Sequence, residues 1–120
     1  MLARTARSLI MARVALLCPD LLFGSKLQGA LRAAGHEPVP AGDEADILVV
    51  DLTDDPDGRI EQSAGARLPR LGFYSHVEQD VRQRAEEAGF ERVVPRSRMA
   101  REAAALVDAL LAGGGPAARG

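Results

Sequence analysis

Five short apolar runs alternate along the chain with stretches whose apolar residues recur at helical spacing. Val14-Ala15-Leu16-Leu17-Cys18 is apolar on both faces, as a parallel strand covered by helices on each side must be. Pro19 ends it, and Asp20 stands where a helix N-cap belongs. Phe23, Leu27, Ala30, Leu31 and Ala34 hold a helical period over Leu21 to Ala34, and Gly35 stops it. His36-Glu37-Pro38-Val39-Pro40 is short and carries two prolines, which suits an edge strand. The strongest strand covers Asp46 to Val50 and empties into Asp51. Leu71-Gly72-Phe73-Tyr74-Ser75 and Phe90 to Val94 supply the last two.

The later helices follow the same logic. Arg59 to Ala66 is a weak helix interrupted by Gly65. Val77, Val81, Ala85 and Ala88 form a clear stripe that Gly89 ends. Arg101 to Leu111 is the last helix, with Ala103, Leu106, Val107 and Leu110 on its apolar face. Strands and helices in alternation with short links predict a doubly wound parallel α/β sheet of about five strands. One connection resists. Ala41 to Ala45 is too short for a crossover helix, since a parallel connection needs about a dozen residues. Either that helix has shrunk to a turn or the second strand lies outside the sheet.

A chain of 120 residues is one domain by length. The expected organisation is a flexible extension over 1–12, a single domain over 13–112 and a flexible tail over 113–120. Met11-Ala12-Arg13 stands where the first strand begins, so translation is expected to start at Met11. Met1 to Ile10 is too short and too broken by arginine for a signal peptide. No run approaches the roughly 20 apolar residues of a membrane span. A cytoplasmic protein with no membrane partner follows. With a net charge of −2 and no aromatic platform, nucleic-acid binding is not expected either. The single cysteine, Cys18, excludes an intramolecular disulfide and a thiolate metal cluster, and its apolar run predicts a buried, inert thiol.

Chemistry gathers where strands end. In a doubly wound sheet the carboxyl ends of the strands share one edge, where such folds place their sites. That edge receives Asp20, Asp51 with Asp54, Ser75 with His76, and Arg96 with Ser97. Asp51 with Asp20 and Asp54 is the candidate metal set, since carboxylate oxygens suit a hard divalent cation. Asp54, Asp55 and Asp57 also read as a solvated turn, and Asp51 as a cap on its own loop. Ser75 and Ser97 each read as a helix N-cap. His36, beside a helix stop, reads as a partner for the helix dipole. Arg96, Arg98 and Arg101 crowd a helix start, which calls for something anionic there: Asp51, an acidic partner protein or a phosphate, with the internal ion pair the first choice. No Gly-rich phosphate turn follows the first strand, since Leu21-Leu22-Phe23 fills that position.

The order of these residues resembles the receiver domains of two-component response regulators, within the flavodoxin-like folds. The resemblance spans roughly Arg13 to Leu111. It implies a phosphoacceptor at Asp51, with Asp20 the remnant of an acidic pair. Ser75 would be the switch hydroxyl, and Arg96 would stand where the family has a lysine. The departures imply a degenerate receiver: only one acid follows the first strand, a crossover helix is missing, and an arginine fork is no substitute for a compact ammonium. The expected function is therefore a signalling or protein-interaction domain without catalysis of its own, working through a protein partner or self-association and holding no cofactor. Leu21, Leu22 and Phe23, and the final helix, are the surfaces expected to serve it. A working receiver using Asp51 and a divalent metal, for which the resemblance implies Mg²⁺, is the first alternative. A flavodoxin-like binder or enzyme for an anionic metabolite is the second.

Overall fold

The computed structural model describes residues 11–75 and 79–114. Five parallel strands form one sheet in the order β2-β1-β3-β4-β5. They are β1 (Arg13–Leu17), β2 (Glu37–Pro40), β3 (Ile47–Asp51), β4 (Arg70–Tyr74) and β5 (Arg92–Pro95). Four helices connect or follow them: α1 (Leu21–Ala33), α2 (Pro56–Gln62), α3 (Gln79–Glu87) and α4 (Arg96–Ala109), the last running on into a π-turn over Leu110–Gly114. His76 and Val77 lie outside the described residues, as do residues 1–10 and 115–120 of the ends expected to be flexible over 1–12 and 113–120.

Alternation along each strand divides the core in two. Val14, Ile47, Val49, Leu71 and Phe73 face one side, against Phe23, Leu27 and Leu31 of α1 and Met99, Ala103, Leu106 and Val107 of α4. Ala15, Leu48, Val50 and Val93 face the other, against Val81 and Ala85 of α3 and Leu52. Every side chain of β3 and β4 is buried, as central parallel strands require.

The uncertain connection resolves to the first of its two options. β2 pairs with β1 along Glu37–Pro40, and residues 41–46 pass to β3 with no helix between them. β2 is an edge strand, and Glu37 N donates inward to Ala12 O at 2.8 Å. Donors alternate sides along a parallel strand, so Pro38 and Pro40 stand at the outward positions.

Two buried polar groups lie outside the expectations drawn from the sequence. His36 is no dipole partner. It is buried, its Nδ1 accepts from Ala12 N at 3.1 Å, and its Nε2 lies 2.8 Å from Asp108 Oδ1. An accepting Nδ1 assigns the proton to Nε2, so the ring clamps the start of β1 to the end of α4. Arg70 is buried at the start of β4. Its guanidinium donates to Ala88 O at 2.7 Å and Ser63 O at 3.3 Å, 4.5 Å above the Phe90 ring. Those carbonyls close α3 and α2, where a cation is favoured. Among the described residues, no helix is long and apolar enough to cross a membrane.

Candidate functional site

The carboxyl edge is assembled from the exits of β1, β3, β4 and β5. After β1, Pro19 ends the pairing, and Asp20 caps α1 by accepting from Phe23 N at 3.0 Å through Oδ1. Its Oδ2 meets Arg96 Nη2 at 3.3 Å. Arg96 opens α4, and its guanidinium lies 4.2 Å from the Phe23 ring centroid. Arg96 thus makes an internal ion pair, but with Asp20 rather than with Asp51, and a cation–π contact holds it against α1.

Asp51 ends β3 and is only 3% exposed. Its Oδ1 accepts from Thr53 N at 2.8 Å and from Thr53 Oγ1 at 2.6 Å. An acid capping its own loop two residues on is a local preference of aspartate. Its Oδ2 faces the Cys18 thiol, Sγ at 3.6 Å. Burial, and then the Asp51 carboxylate, push that thiol from its ordinary 9.0 up to about 12, so at neutral pH it stays protonated. Cys18 lies just beyond β1 and is half-buried.

The candidate metal set does not converge. Asp20 turns to Arg96, and Asp54 turns to Arg59 at 3.1 Å. Asp55 caps α2 by accepting from Gly58 N, and Asp57 pairs with Arg84. Among the described residues, no group of three or more His, Cys, Asp or Glu side chains is placed to hold a metal ion. Asp54, Asp55 and Asp57 stand in an exposed turn, and they meet arginines and a helix cap where the sequence suggested only solvent.

Ser75 leaves β4 partly buried and lines a groove with Asp20, Phe23, Lys26, Thr53 and Arg96. The groove has a volume of about 650 Å³ and extends to Ser97 and Ala100. Ser97 does not cap α4: Pro95 holds the N-cap position and no side chain caps the helix. Arg98 and Arg101 turn to Glu102, away from the edge. Sequence reasoning missed Thr53, Lys26 and Cys18 as members of this edge. A hydroxyl two residues after a strand-terminal acid was the available signal for Thr53, and the others needed the tertiary fold.

No protein-family model matches the sequence, and no curated protein matches it. Solved structures do. A LuxR-family two-component response regulator from Aurantimonas sp. SI85-9A1 superposes with a TM-score of 0.73 at 24% identity, over 91% of this chain and 93% of that one. A response regulator from Thermotoga maritima gives 0.71 at 13% identity, over 85% and 98%. The receiver domain of Nitrogen Regulatory Protein C in its BeF3-activated form gives 0.62 at 20%, over 85% and 95%. The chain has the receiver fold. At these identities the likeness establishes architecture, and the receiver fold here carries four helices, with none between β2 and β3.

A receiver fold implies a divalent cation beside the β3 acid, and the donor set here does not fit one. Mg²⁺ asks for oxygen donors in octahedral array. Asp51 offers one carboxylate, already accepting from Thr53, and faces a protonated thiol, while Asp20 and Asp54 are each held by an arginine.

Proposed function

We propose that this chain is a receiver-type signalling domain that acts by protein contact and performs no metal-dependent phosphotransfer of its own. One observation carries this reading: the Asp51 carboxylate is committed to Thr53 and Cys18, and Asp20 is committed to Arg96. A phosphoacceptor needs an exposed oxygen and a counter-ion for the charge that builds on it, and among the described residues the edge supplies neither to Asp51. Leu21 and Leu22, 83% and 87% exposed at the start of α1, give the same edge an apolar contact surface.

The comparisons favour a second reading, in which Asp51 accepts a phosphoryl group. Asp51 ends the third strand of a receiver fold, and a solved structure that shares this fold is BeF3-activated.

Amide NMR with Mg²⁺ and then beryllium fluoride separates the two, with Asp51→Asn as control. The first reading expects no saturable shift at Cys18, Asp51 or Ser75 at millimolar Mg²⁺, and none on adding beryllium fluoride. Saturable shifts centred there, and abolished in Asp51→Asn, would overturn it in favour of the second.

A further inference from the structure

We propose that the groove between α1 and the start of α4 binds a small phosphorylated molecule, non-covalently and without a metal ion. Asp51 does not line the groove, but Thr53, which holds its carboxylate, does, so the inference rests on the first reading, in which Asp51 takes no phosphoryl group.

Position comes first. The chain runs outward from β1 to β2 on one side and from β3 to β5 on the other. The crevice outside the carboxyl ends of β1 and β3 is therefore the point where strand order reverses, the place where open α/β sheets take ligands. Asp20, after β1, and Thr53, after β3, both line the groove. Its volume of about 650 Å³ falls within the range of small-molecule sites and exceeds what an inorganic ion needs.

Polarity comes second. Lys26 and Arg96 line the groove against a single carboxylate, Asp20. Among the described residues Lys26 makes no ion pair, and Arg96 uses only Nη2, on Asp20. The Phe23 ring, 4.2 Å from the guanidinium carbon, restrains the side chain, so its remaining donors cost less further ordering on an oxyanion. Ser75 and Ser97 add hydroxyls, and α4 begins at the groove with no side chain capping its first N–H groups. That helix start adds to the positive field without being needed for the case.

Composition of the wall comes third. Phe23, Pro95 and Ala100 give it an apolar side. A ligand with an anionic head toward Lys26 and Arg96 and a compact apolar body toward Ala100 fits both halves. Phosphate suits the head better than carboxylate, because it presents three oxygens to a fork, an ammonium and hydroxyls together. At the edge where the fold implies a cation cradle, this chain has set its acids aside and built a site of the opposite sign.

Amide NMR titration of the full chain tests this with two probes, inorganic phosphate and phenyl phosphate, each against chloride at matched ionic strength. Saturable shifts are expected at Lys26, Ser75, Arg96 and Ser97, with phenyl phosphate binding about tenfold more tightly than phosphate, equivalent to ~1.4 kcal/mol. Arg96→Gln and Lys26→Gln should each weaken binding by about fivefold or more, and Asp51→Asn should leave it intact. Shifts that chloride reproduces, or that both glutamine variants retain, would overturn the site. Loss of binding in Asp51→Asn alone would also overturn it, by moving the phosphate to the Asp51 centre.

Discussion

At the scale of single residues, the Cys18–Asp51 contact makes a prediction about pH. The folded thiol titrates at about 12 against an ordinary 9.0, so its folded value is the raised one. Its contribution to stability is complete below about pH 9 and is lost as pH climbs from there through about 12. Urea midpoints should decline over that window, and Cys18→Ala should decline less. Burial is the larger cause and Asp51 the next, so Asp51→Asn should speed alkylation of Cys18 by iodoacetamide at pH 8.5 without bringing it to the rate of a free thiol. A rate unchanged in that variant would mean that the carboxylate does not act on the sulfur. The sequence predicts a buried, inert Cys18, which the fold leaves half-buried beyond β1, and an Asp51 that caps its own loop. It could not show that the two meet, because 33 residues and a strand pairing separate them. Arg70 was invisible for the same reason, being an arginine whose partners are the carbonyls of two helix ends.

At the scale of elements, caps and kinks decide where helices begin. Asp20 was legible because its chemistry is local: an acid three residues before a donor, just past a proline. Asp20→Ala should cost about 1 kcal/mol, read from urea denaturation. Asp20→Asn keeps the acceptor for Phe23 N and removes only a half-exposed ion pair, so it should cost less than about 0.5 kcal/mol. Equal losses in the two would mean that the Arg96 pair, and not the cap, holds α1. The start of α4 was misjudged by five residues, since Arg96 to Ala100 shows little apolar period. Met99, fully buried, supplies the anchor that extends the helix back to Arg96. Glu102 has non-helical backbone angles, φ −128° and ψ 23°, and the clear stripe begins only beyond that kink.

Across the whole molecule, strand number, order of elements and the two-faced core were all written in the alternation of apolar runs. What remained open was the passage from β2 to β3, because a short link is compatible with pairing or with its absence, and only the tertiary partner decides. The second face shows how closely the parts approach. A Cβ on Gly72 would stand 2.8 Å from Leu52 Cδ1 and 3.0 Å from Phe90 Cδ2, with both neighbours buried. Gly72→Ala should therefore cost about 2 kcal/mol through overpacking, and lower Tm by roughly 10 °C in a domain of this size. A Tm within 2 °C of the parent would mean that this face has slack.

The prolines of β2 have a consequence for the behaviour of many molecules together. An open strand invites another chain to continue the sheet through its free N–H groups. At Pro38 and Pro40, the outward positions of this margin, there are none to offer. Concentrated or partly unfolded, the protein lacks a template on that flank for fibril growth. Growth could proceed only through the other margin, β5, and two copies joined there would present β2 at both ends.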